Sequence, residues 1–118
     1  MTRPFTLVLL IAAAANAAPV PKGLRKTPAH VGEWRAEFTN GVVEACAIGR
    51  DGTAAVAEPH RSSGGRAEAG AGGVVVLRFD DDRTERWTPA GDGYAVEHWY
   101  PSSAYPHEPP ARGTATRK

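Results

Sequence analysis

His98 stands in Glu97-His98-Trp99-Tyr100, one predicted strand on from Glu85. An imidazole oriented by a carboxylate can act as a general base or share a cation with its partner. Neighbours on a strand point to opposite faces, so Glu97 and His98 are not a pair by adjacency. In one register of the last hairpin His98 falls opposite Glu85, and a one-residue slip would break that juxtaposition. The bland alternative is a cross-strand ion pair. His30, His60 and His107 fall in a linker, a loop and a tail. No two histidines are spaced as HxH, HxxH or HxxxH, so no metal centre is expected from sequence spacing.

Other chemistry-bearing groups are weaker. Cys46, the only cysteine, sits mid-strand in Glu44-Ala45-Cys46-Ala47-Ile48 without an adjacent base or cation, and reads as a buried small residue. Asp80-Asp81-Asp82 with Glu85 lacks the alternating carboxylates and the glycine of a calcium loop, and reads as a solvated turn. Ser62-Ser63-Gly64-Gly65 lacks the strand–turn–helix frame of a hydrolase elbow. Trp87, Trp99 and Tyr100, near Arg83 and Arg86, form the densest aromatic stretch. Exposed, they would make a stacking platform for a ligand; turned inward, Trp87 and Trp99 would seal a core together with Trp34.

The elements that position these residues follow from the period of the sequence. Phe5 to Ala15 is an apolar run after Arg3, too short for a membrane span, and Ala15-Asn16-Ala17 offers small residues for cleavage. Residues 1–17 are therefore expected to be an export signal, leaving a soluble mature chain of 101 residues in the periplasm or medium. Residues 18–31 read as a Pro-punctuated linker. Residues 33–101 carry seven arginines against twelve acids, an acidic module between a basic leader and a basic tail. The whole chain has a net charge of +1, which offers no excess for nucleic acid. One cysteine excludes a disulfide framework, and no disulfide-linked partner is expected.

From Glu33 the pattern alternates with period two. Trp34, Ala36 and Phe38 interleave with polar residues, and Asn40-Gly41 then signals a tight hairpin. Further strands are predicted at Val42–Ile48, Thr53–Glu58, Val74–Phe79, Arg83–Thr88 and Tyr94–Tyr100. The glycine-rich stretch 60–73 reads as a loop enclosing, at most, a short strand at Arg66–Ala69. Val42 and Val43 join the expected core with Trp34, Phe38 and the Val74–Leu77 run. The tail 102–118, rich in proline, is expected to be irregular. The domain is thus an all-β antiparallel meander of six to seven strands over residues 32–101, a half-barrel or small barrel.

Gly32-Glu33-Trp34 opening the first strand of a meander resembles the start of lipocalin-like and avidin-like barrels. The resemblance implies an indole laid across the closed end of a barrel and the binding of small apolar or amphipathic ligands. Those families use eight long strands, so the shorter module here implies little room for an enclosed ligand cavity.

The function expected from these features is that of an exported, monomeric, non-catalytic binding or structural module without a cofactor. Its partner would be a small ligand or an envelope component, met by a surface at Trp87, Trp99, Tyr100, Arg83 and Arg86. The alternative is a small hydrolase-like enzyme using His98 with Glu85 or Glu97.

Overall fold

The protein is described by a computed structural model over residues 27–118. The expected export segment and residues 18–26 of the linker lie outside the described residues. Eight antiparallel strands run in chain order around a closed barrel: β1 Gly32–Phe38, β2 Val43–Ile48, β3 Thr53–Glu58, β4 Arg61–Ala69, β5 Val75–Phe79, β6 Thr84–Ala90, β7 Gly93–Trp99 and β8 Ala111–Arg117. Each strand pairs with the next, and β8 returns to β1 through Ala36↔Ala115. Closure leaves no open sheet edge among the described residues.

Two strands depart from the sequence expectation, and both are built around small residues. β4 runs through the stretch expected to be a loop, because its glycines permit close backbone approach rather than disorder. A Cβ at Gly65 would collide with the Arg78 carbonyl of β5. β8 occupies the tail expected to be irregular, turning Ala111, Gly113 and Ala115 toward an interior already filled by larger residues. A Cβ at Gly113 would meet the Phe38 ring 2.9 Å away. Neither strand shows large apolar residues in alternation, so the period-two signal is weak in both.

Cross-strand register sets which residues face inward. Trp34 pairs with Cys46, which puts Glu44, Cys46 and Ile48 inside and Val43 outside, while Val42, just before the strand, stands at the rim of the barrel mouth. The expected core placement of those two valines is thereby corrected; both are exposed. One end of the barrel is packed with Trp34, Trp87 and Tyr94. Trp34 meets Trp87 edge to face with centroids 5.7 Å apart, and Tyr94 at 5.2 Å. Such contacts add to the area these rings bury. The opposite end is polar, and there the strands gather the residues with chemistry.

Candidate functional site

At the polar end, β2, β3, β6 and β7 turn acids and a histidine toward one another. Glu85 on β6 lies directly opposite His98 on β7 in the register. Their side chains meet in a hydrogen bond, with Nδ1 2.9 Å from Oε2. Glu85 is fully buried, and its other oxygen accepts a 3.0 Å hydrogen bond from Trp87 Nε1. The Phe38 ring stands edge-on to the His98 ring, with centroids 5.7 Å apart. Glu97 points to the outer face and binds Arg86 and Arg112, so it plays no part in orienting His98.

Glu44 faces this pair from β2. It is 1% exposed, and its Oε2 lies 4.0 Å from His98 Nδ1 and accepts a 3.0 Å bond from Arg83 Nη1. Its Oε1 receives no hydrogen bond from any N–H or O–H donor among the described residues. Burial first, and then the nearby carboxylates of Glu85 and Glu58, push the Glu44 pKa up to about 10 against the opposing pull of Arg83.

Arg83 comes from the β5–β6 turn, where Phe79 N donates to the Arg83 carbonyl and Asp82 adopts φ 72°. The turn sends the guanidinium into the barrel mouth, where it is fully buried. There it binds Asp81 through Nε at 2.8 Å, and Glu44 and Glu58 through Nη1 at 3.0 Å each. Burial pushes its pKa down, but these three carboxylates outweigh that and hold it above the ordinary value. Hydrogen bonding to Arg83 holds Asp81 low. Burial raises Glu58, yet contact with Glu44 and with Arg61 prevails and keeps it low as well.

This cluster opens to solvent through a pocket of about 210 Å³ lined by Phe38, Asn40, Val42, Glu44, Glu58, Arg61, His98 and Ala111. A larger depression, about 630 Å³, lies on the outer face over Ala45, Ala47, Ala55 and Ala57. Its floor is mostly alanine, glycine and serine, and it gathers no cluster of titratable groups. The smaller pocket is the chemically distinctive one.

The expected aromatic platform is not a surface. Trp87 is fully buried beneath the barrel wall, as its inward register demands. Trp99 is on the outer face but covered by the β7–β8 connection: Nε1 donates to the Glu108 carbonyl, and Tyr105 stacks edge-on at 4.8 Å. Arg86 lies over Trp99 at 5.3 Å and is tied to Glu97. Arg83 is enclosed by acids. Of the five, Tyr100 alone is open, 61% exposed, with Arg61 at 6.0 Å.

Glu44, Glu58 and Arg61 are absent from the candidates that the sequence suggests. Glu44 does carry a signal, since it stands in phase with Cys46 and Ile48, a charge in an inward position. Glu58 and Arg61 meet only because the β3–β4 turn folds them together, 3.1 Å apart. Comparison with protein-family models and with curated proteins gives no match for this chain.

Proposed function

We propose that this is a small exported binding protein, non-catalytic, which takes a small cation in the pocket at the polar mouth of a lipocalin-like barrel. One observation carries the reading: the buried Glu44 carboxyl presents an oxygen without a donor beside a pocket rimmed by His98 and Glu58. A buried carboxyl oxygen left without a partner is costly, and Arg83 engages only the other oxygen of Glu44. Export is supported by the apolar run from Phe5 to Ala15 and the small residues that follow it. Two of the three basic tail residues are engaged on the barrel, Arg112 with Glu97 and Arg117 with the Ala29 and Val31 carbonyls, which favours the pocket over envelope attachment.

A second reading, His98 as a general base held by Glu85, has their 2.9 Å contact in its favour. The nearby thiol does not supply it with a nucleophile. Burial and the Glu85 and Glu44 carboxylates push Cys46 up, away from thiolate.

The test is a titration of the purified protein with ammonium, methylammonium, guanidinium and divalent metal salts, following the His98 ring resonances. Saturable shifts with at least one cation, lost in Glu44→Gln, support the reading. Resonances that no cation moves would refute it.

A further inference from the structure

We propose that Glu44, Glu85 and His98 form a binding site for one divalent first-row transition metal ion, of the zinc type. This rests on the cation-pocket reading above and names the cation.

The geometry is that of a three-ligand site with one side open. One ligand atom from each residue can be chosen so that all lie within 4.8 Å of one another. The 2.9 Å separation of His98 Nδ1 from Glu85 Oε2 and the 4.8 Å limit on the whole set enclose the spacing of neighbouring ligands around a tetrahedral ion. For bonds of about 2.1 Å that spacing is roughly 3.4 Å. The ligands come from β2, β6 and β7, walls of a closed barrel, so their backbones are fixed before any ion arrives.

Each carboxylate also has one oxygen held and one to offer. Trp87 Nε1 occupies Glu85 Oε1, leaving Oε2; Arg83 occupies Glu44 Oε2, leaving Oε1 without a donor. Partners of this kind orient ligands around metals. The fourth side faces the pocket of about 210 Å³, which has room for water or a small exogenous ligand.

Charge points the same way. The mouth gathers four carboxylates, Glu44, Glu58, Asp81 and Glu85, against the two guanidinium groups of Arg83 and Arg61. With a neutral imidazole the cluster is short of two positive charges, the charge of one divalent ion. Arg83 does not oppose the ion strongly, because Asp81 and Glu58 already match it. The competing occupant is any proton held on the ligand atoms themselves. Metal entry releases it to solvent, so charge and atoms balance. Two carboxylate oxygens and an imidazole nitrogen suit a borderline ion such as zinc; calcium wants six or more oxygens, and magnesium keeps most of its water.

The experiment uses purified, EDTA-treated protein and zinc alone as the probe, by calorimetry and thermal melting, with cobalt(II) as a spectroscopic substitute. One zinc per chain, a raised melting temperature and intense visible cobalt bands of low coordination number are expected. His98→Gln and Glu44→Gln should each weaken zinc binding by more than about tenfold. Near-ultraviolet dichroism confirms that both variants remain folded. The triple variant His30→Gln, His60→Gln, His107→Gln should retain full affinity. The metal site is refuted if His98→Gln binds zinc like the parent, if the triple variant loses binding, or if calcium binds as tightly as zinc. Binding of organic cations without zinc would also refute it, while leaving the cation-pocket reading standing. Silence from every cation overturns both.

Discussion

Arg117, the last residue of β8, lies with its guanidinium carbon 4.3 Å from the centroid of the Trp34 ring on β1. Its two terminal nitrogens donate to the Val31 and Ala29 carbonyls, at 2.9 and 2.6 Å, and Trp34 Nε1 donates to the His30 carbonyl. The final strand thus clamps the segment that enters the first one, over the aromatic end of the barrel. Arg117→Ala should cost about 1–2 kcal/mol, combining a partly screened cation–π contact with two charge-assisted hydrogen bonds. Arg117→Lys should recover less than half, because an ammonium lacks the fork that reaches both carbonyls. Urea denaturation measures both, and equal stability of Lys and Arg variants would deny the clamp.

How much of this is legible in the sequence depends on where each signal resides. Strands with bulky inward residues can be read from alternation, as at Trp34, Ala36 and Phe38. β4 and β8 cannot, because their inward positions are filled with glycine, alanine and serine to accommodate rings from other strands. The Glu85–His98 pairing is one of two registers open to the last hairpin; the observed pairing is the productive one. The rest of the cluster is assembled from sequence-distant strands, Glu44 being 39 residues from Arg83. Local spacing carries no trace of such contacts. Short metal motifs report ligands that share one helix or turn, whereas these sit on β2, β6 and β7.

Glu44 makes stability depend on pH in a definite direction. In the unfolded chain its carboxyl titrates near 4.5, and in the folded protein it is pushed up to about 10, by burial above all. Between those values the folded state holds a proton that the unfolded chain gives up, so stability falls as pH rises. Asp81 acts in the opposite sense. Arg83 holds its pKa below 3.8, and its contribution is lost only as the solution becomes strongly acidic. Melting temperature in metal-free buffer should therefore peak on the mildly acidic side and decline toward alkaline pH. Glu44→Gln keeps the shape and removes the ionisation. Its melting temperature should exceed the parent's by several degrees at about pH 9, with the gap closing near pH 5. Parallel profiles for the two proteins would show that Glu44 does not titrate in this way.

Gly93 opens β7 at a place where no side chain fits. A Cβ there would be driven into the Ala115 carbonyl of β8. Gly93→Ala must push β7 away from β8, and should destabilise the barrel by about 2–4 kcal/mol. Gly91, in the preceding turn, is the contrasting case: its φ is 58°, and a methyl group added there would meet nothing within 4 Å. Gly91→Ala should cost only about 1 kcal/mol, the backbone preference alone. Denaturation midpoints that rank the two variants in the reverse order would mean that β7 and β8 can separate cheaply.

Cys46 sits inside the barrel, 3% exposed, one strand from Trp34 in the register. Burial raises its pKa, and the Glu85 and Glu44 carboxylates add to the rise, so the reactive thiolate is suppressed. A thiol reagent such as DTNB should therefore react only as the protein opens, at a rate that rises with urea and reaches one equivalent per chain when unfolded. Cys46→Ala should leave a folded barrel weakened by about 1–2 kcal/mol, the loss of a small buried group. Filling Oε1 of Glu44 with zinc should slow the reaction further, because the ion ties β2 to β6 and β7 and lowers the population of open states. Fast labelling of the native protein would show instead that the interior beside Glu44 is reached by solvent without unfolding.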